Sequence, residues 1–235
     1  MAYIATILCF LFIAYLFRTD IKNSEGLSNA LWIPLAWMFL AGSRWVSSWL
    51  NLSVPMASAD AYSEGSPVDR AVFFSLILAG CFVLARRKID WDQLIGQNKT
   101  LVAYLLFCLS SIVWTDEPFV LFKRWIKDLG NPIMALVILT EQHPYEAVGT
   151  ILRRLAFLLI PLSFLFVRYF PELGRTYHAD GAPMYTGIGH QKNDLGAMCL
   201  ISGIYFAWKY LQSRSQSLKL KASIFKVDLI IIAMS

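Results

Sequence analysis

Apolar residues in this chain gather into long runs, with the polar residues confined to the intervals between them. Eight runs can be read, at about 2–17, 29–50, 71–85, 101–114, 129–140, 150–167, 194–211, and a last one opening at Val227. Runs without a polar face predict helices buried on all sides or embedded in lipid. A straight span needs roughly 20 residues, so 101–114 and 129–140 are expected to extend into flanking polar residues, to tilt, or in one case to be re-entrant. The run from Val227 reaches only Ser235, so the chain is expected to be cut within a helix. The first run has no basic leader and no small-x-small cleavage site, which predicts a retained span instead of a signal peptide. The pattern therefore predicts an all-α, polytopic integral membrane helix bundle over 1–235, with no repeat and no soluble domain.

Composition agrees with that pattern. The 235 residues are 57% hydrophobic and 16% charged, with a mean hydropathy of +0.53, whereas soluble domains carry about 25% charge. The net charge of +5 is thus a matter of topology, and no nucleic-acid partner is expected. Cys9, Cys81, Cys108 and Cys199 all lie inside apolar runs without metal-ligand spacing. They read as small buried hydrophobes, so neither disulfides nor a metal site is expected.

Charge placement predicts sidedness. The connections after the first, third, fifth and seventh runs hold thirteen basic residues, among them Arg18, Arg86, Arg87, Lys88, Arg153, Arg154 and Lys209. The alternate connections hold eight: Arg44, Arg70, Lys123, Arg124, Lys127, Arg168, Arg175 and Lys192. The positive-inside rule counts Lys and Arg. It assigns the first set to the cytoplasm, where Arg86, Arg87, Lys88 and the lysines of 209–226 read as anchors beside anionic lipid. The N-terminus and the second set then lie outside.

The unusual chemistry sorts to the outward set. Arg44, followed by Trp45 and Trp49, reads equally as an interfacial anchor and as a site residue. Lys123 and Lys127 share a helical face with aromatic neighbours, as in an interfacial amphipathic helix, yet Arg124 there could offer its guanidinium fork to a phosphate. The third outward connection, Arg168 to Gly196, is the densest. Glu172 and Arg175 are spaced for a local pair, and Gly187 and Gly189 permit close backbone approach. Asn193 or Asp194 can cap the following helix, whose N-terminus, preceded by His190 and Lys192, suits an anion.

The stretch Tyr185-Thr-Gly-Ile-Gly-His-Gln-Lys-Asn-Asp-Leu-Gly196 resembles the "G…KN.LG" signature of the bacterial O-antigen ligase and O-antigen polymerase superfamily. It is most similar to the branch of exopolysaccharide-production membrane proteins. Four other stretches are similar in the same order. They are Leu31-Trp-Ile-Pro34 with Gly42-Ser-Arg44; Glu64-Gly-Ser-Pro-Val-Asp-Arg70; Ser111-Ile-Val-Trp-Thr-Asp-Glu-Pro118 with Lys123-Arg-Trp125; and Pro171-Glu-Leu-Gly-Arg175. The resemblance makes 1–235 the N-terminal portion of a larger ligase-like domain, with its signature core at about 150–235.

The resemblance implies a multi-pass glycosyltransferase of the bacterial inner membrane, active on its periplasmic face. Such an enzyme moves a glycan from undecaprenyl pyrophosphate to a hydroxyl on lipid A core, a glycan repeat or a protein. No cofactor or metal is implied. Arg175, Lys192, Arg168, Arg124 and Asn193 are the expected pyrophosphate-binding residues, with Glu172 orienting Arg175. His190 and Glu172 are the candidates for proton transfer. Two departures stand out. The family's large outward loop, with its catalytic Arg and His, has no counterpart here, and Gly189-His190-Gln191 differs from the usual approach to the signature. The base is therefore expected outside this chain, and the 235 residues alone are expected to be inactive. A rival from another class is a transporter of lipid-linked oligosaccharide or anions. It would need paired broken helices, for which Gly130-Asn-Pro132 and Pro161 are the only hints.

Overall fold

A computed structural model of the protein describes residues 1–23, 26–50, 66–177 and 181–215. The expected segment from Val227 and the start of the Glu64–Arg70 stretch lie outside the described residues. The chain is all-α apart from one short hairpin. In order it forms α1 (Ala2–Asn23), a 3-10 turn (Asn29–Leu31), α2 (Trp32–Gly42), α3 (Val46–Trp49), α4 (Pro67–Arg86), α5 (Trp91–Gln97) and α6 (Lys99–Ser110). A second 3-10 turn (Ser111–Trp114) leads to α7 (Pro118–Leu139), α8 (Pro144–Tyr169), α9 (Pro171–Gly174), β1 (Arg175–Tyr177), β2 (Pro183–Tyr185) and α10 (Lys192–Ser215). Among the described residues four helices open on proline, whose missing N–H is no loss in a first turn. Ser66 caps α4 by accepting from the Val68 amide at 3.3 Å.

Among the described residues three helices are long and apolar enough to cross a membrane: Ala2–Ile21, Pro67–Arg86 and Pro144–Tyr169. The eight apolar segments read from the sequence are not shown as eight separate helices among the described residues. The run 29–50 is broken at Ser43–Trp45, where the chain leaves α2 and bends into α3. The run 129–140 extends backwards to Pro118, and α7 gains length only by taking in Lys123, Arg124, Lys127 and Asp128. Asn29–Gly42 and Lys99–Trp114 remain short apolar helices.

The chain divides into two compact units. One comprises 1–27, 38–44 and 145–235, and the other 28–37 and 45–144. In the first, α8 is the central helix, buried through Ala156, Phe157, Leu159, Ile160, Leu165 and Phe166. Leu16, Ile13, Tyr205, Phe206 and Ile188 close around it from α1, α10 and the turn before α10. The outer face of α1 exposes Tyr3, Ile4, Ile7, Leu8, Phe10, Leu11 and Tyr15, a face suited to lipid. In the second unit α4 packs on α7 at Gly80, where an added Cβ would come within 2.9 Å of Ile133. An added Cβ at Gly130 would lie 2.0 Å from the Trp37 ring, and the Trp37 indole N–H donates to Asn131 Oδ1 at 3.0 Å. Gly130-Asn-Pro132 is thus a seat for Trp37. Both α7 and α8 run unbroken through Pro132 and Pro161.

Side-chain contacts follow the alternation of the connections. In the second unit Ser28, Arg87 and Glu141, from the first, third and fifth connections, meet at one end of α4. Ser47 and Asp69, both N-terminal on α3 and α4, meet at the other end, with the Ser47 hydroxyl donating to Asp69 Oδ2 at 2.6 Å. In the first unit Asp20 meets Arg153 and Arg154, whereas Arg44 meets Leu173 and Ile188. In these contacts, connections of like parity share an end within each unit.

Candidate functional site

The C-terminal end of α8 and the N-terminal end of α10 are joined by the densest polar connection, of which residues 170–177 and 181–191 are described. Phe170 is followed by the single turn of α9. Gly174 then lies so close to α8 that a Cβ there would sit 2.3 Å from the Phe166 carbonyl carbon. Its own carbonyl accepts from the amides of Thr186 and Gly187, at 3.0 and 3.1 Å. The chain between them forms the antiparallel β1–β2 hairpin, pairing Arg175 with Tyr185 and Tyr177 with Pro183.

The turn that follows is fixed on three sides. Gly187 has φ +58°, and a Cβ there would approach the Ser163 Cβ to 2.7 Å, so only glycine fits. The Ile188 amide donates to the Ser163 hydroxyl at 3.2 Å, and its side chain is fully buried among Ile13, Leu159, Leu162, Leu165 and Phe166. The Ile188 carbonyl accepts from the Arg44 amide at 3.2 Å, tying the bend after α2 to this turn. Thr186 is also buried, with no partner for its hydroxyl among the described residues.

Two guanidiniums flank this turn. Arg175 donates through Nε to the Val167 carbonyl at 2.9 Å and lies 5.4 Å from the centre of the Tyr185 ring. Arg44 donates through Nη2 to the Leu173 carbonyl, and burial lowers its pKa. Arg175 therefore takes its position from Val167 and Tyr185, and not from the expected pair with Glu172, which stands exposed on α9. Arg168 is exposed in the last turn of α8, and Lys192 and Asn193 are exposed in the first turn of α10. His190 is exposed two residues before that helix begins.

The N-terminus of α10 differs from expectation in one respect. The Asp194 carboxylate reaches back and accepts from the amides of His190 and Gln191, at 3.2 and 3.0 Å. This is one arm of a capping box. It places a negative charge where the sequence suggested an anion site, and it leaves the arginines as the cationic part of the turn. Arg124 belongs to the second unit, exposed on α7 beside Lys123, which lies 4.1 Å over the Phe119 ring. The Trp125 indole N–H on that helix donates to the Leu105 carbonyl at 3.0 Å.

Sequence reasoning passed over a second class of charged residue. Asp20 is buried and accepts from Arg153 Nε at 2.6 Å and from Arg154 Nε at 2.5 Å. Glu141, also buried, takes the Ser28 hydroxyl at 2.5 Å and pairs with Arg87, which also donates to the Thr140 hydroxyl and the Val137 carbonyl. Burial alone would raise the Glu141 carboxyl. The hydrogen bonds from Ser28 and Arg87, with the Arg87 charge, outweigh it and hold the pKa below its ordinary value. Arg87 is therefore a paired structural residue, which the simple role of a lipid anchor does not describe, and Arg153 and Arg154 are paired in the same way. Lone acids at the ends of apolar runs, opposite basic residues of the same parity, were the available signal.

Among the described residues no His, Cys, Asp and Glu cluster suited to a metal ion occurs. Comparison with protein-family models, curated proteins and solved structures gave no match.

Proposed function

We propose that this chain forms the donor-binding part of a membrane glycosyltransferase. That enzyme moves a glycan from an undecaprenyl-pyrophosphate donor to a hydroxyl acceptor during assembly of a bacterial surface polysaccharide. The even-numbered connections would face the periplasm, by the excess of Lys and Arg on the others. The observation that carries the reading is the anchored turn itself. Arg168, Arg175 and Lys192 stand on it in one unit, and none of them has a carboxylate partner among the described residues. A leaving pyrophosphate gathers negative charge, and pre-positioned guanidinium and ammonium groups stabilise it without reorganising. Asn193 adds an amide beside Lys192. Glu172 and His190 remain the proton-transfer candidates within the chain. The ordered sequence resemblance supports the same assignment. The continuity of α7 and α8 removes the broken-helix feature that favoured a transporter.

The test is Arg175→Ala in the whole protein, expressed in a strain lacking its own copy. Surface glycan transfer should be lost while the variant still appears in the membrane fraction at the normal level. Normal transfer by a correctly inserted variant would overturn the assignment.

A further inference from the structure

The arginines of this protein are held in two different ways. Arg87, Arg153 and Arg154 meet the buried carboxylates of Glu141 and Asp20, so their charge is cancelled within the fold. Arg44 and Arg175 are instead held by backbone carbonyls, those of Leu173 and Val167. A carbonyl accepts a hydrogen bond but carries no charge. Both guanidiniums are partly shielded from solvent, and neither has a carboxylate partner among the described residues. Among the described residues one N–H of each is engaged, which leaves the rest of each planar fork for another acceptor.

Their spacing along the chain is also set. Leu173, which holds Arg44, and Arg175 are the two neighbours of Gly174. Gly174 itself is pressed against Phe166 and bonded to Thr186 and Gly187. Arg44 cannot drift away as an interfacial anchor would, because its own amide is bonded to Ile188. The Asp194 carboxylate takes the His190 and Gln191 amides, so those two N–H groups are not open to an anion.

We propose that Arg44 is the second arm of the anion site, forming with Arg175 a two-guanidinium clamp for a diphosphate. The inference rests on the glycosyltransferase reading and adds to it a residue from a distant part of the chain. Two forks suit the paired phosphates of a diphosphate, each offering oxygens for bidentate contact. A diphosphate can reach the clamp on a polyprenyl lipid or free in solution, and the chemistry at the arginines is the same.

The experiment is arginine labelling by phenylglyoxal on the whole protein in nanodiscs, read residue by residue by mass spectrometry. Labelling is compared without ligand, with inorganic pyrophosphate, with a polyprenyl pyrophosphate in the bilayer, and with phosphatidylglycerol alone. The expected result is joint protection of Arg44 and Arg175 by diphosphate, with exposed Arg18 unchanged. Protection by the lipid form alone identifies the lipid as the source, and protection by both forms identifies the diphosphate group itself. Arg44→Gln should weaken pyrophosphate binding about tenfold, and Arg44→Lys less. Labelling of the unsubstituted protein keeps the test decisive if a variant fails to fold. Protection of Arg175 without Arg44 overturns the clamp and leaves the donor-site reading standing. Protection of neither overturns both, and equal protection by phosphatidylglycerol overturns selectivity for diphosphate.

Discussion

Replacing Asp20 by asparagine should expose how strongly the paired arginines depend on their carboxylate. Asp20 sits near the end of α1 with its side chain fully buried, one oxygen bonded to Arg153 and the other to Arg154. Asparagine keeps the size and one acceptor oxygen but removes the charge, leaving two guanidiniums in a poorly hydrated setting. Breaking a buried pair by removing one partner costs about 3–5 kcal/mol. Arg153 retains 15% side-chain exposure and can recover some hydration, whereas Arg154, at 8%, recovers little. A loss of about 3–4 kcal/mol is therefore expected, a large share of the roughly 5–15 kcal/mol that holds a typical domain together. Denaturant unfolding of the protein in micelles measures it. A companion variant with Asp20→Leu, Arg153→Met and Arg154→Met removes all three charges, and should recover most of the loss because the buried ions cost solvation in the first place. If Asp20→Asn changes stability by less than about 1 kcal/mol, the value of an exposed pair, the cluster is hydrated and the division between cancelled and uncancelled arginines fails.

Gly187→Ala places a side chain at φ +58° and within 2.7 Å of Ser163. The backbone strain of about 1–2 kcal/mol and the overpacking of about 1–3 kcal/mol should distort the turn and abolish glycan transfer, with full activity counting against the turn as site scaffold. Glu141 has a folded pKa below its unfolded value near 4.5. Its contribution is therefore complete above that pH and disappears as pH falls through the lower folded value. The stability gap between the protein and its Glu141→Gln variant, followed by unfolding in micelles from pH 7 downwards, should narrow only below about 4.5. A gap that closes as pH rises instead would reverse the sign of the argument.

Much of the architecture was legible in the runs of apolar residues, because a helix without a polar face has few places to go other than lipid or a protein core. The all-α class and the three long apolar helices follow from those runs. The boundaries did not. Ser43–Trp45 divides the run 29–50 because the Arg44 amide finds its acceptor at Ile188, a partner far along the chain. The Gly130-Asn-Pro132 stretch read as a potential break, yet its glycine makes room for Trp37 and its asparagine satisfies the indole.

The sequence by itself determined which residues carry charge, on which alternate connections they fall, and that glycines cluster beside the Lys192-Asn193 pair. Hydropathy and charge are local properties, summed along the chain, and need no knowledge of what lies across from them. Only the tertiary structure decided what each charge meets. It put Arg87, Arg153 and Arg154 against carboxylates, and Arg44 and Arg175 against carbonyls, although all five look alike in sequence. It also turned Asp194 back on the amides before α10. Whether a buried cation is a structural tie or a binding group depends on the charge of its nearest partner, and that partner is chosen by the fold.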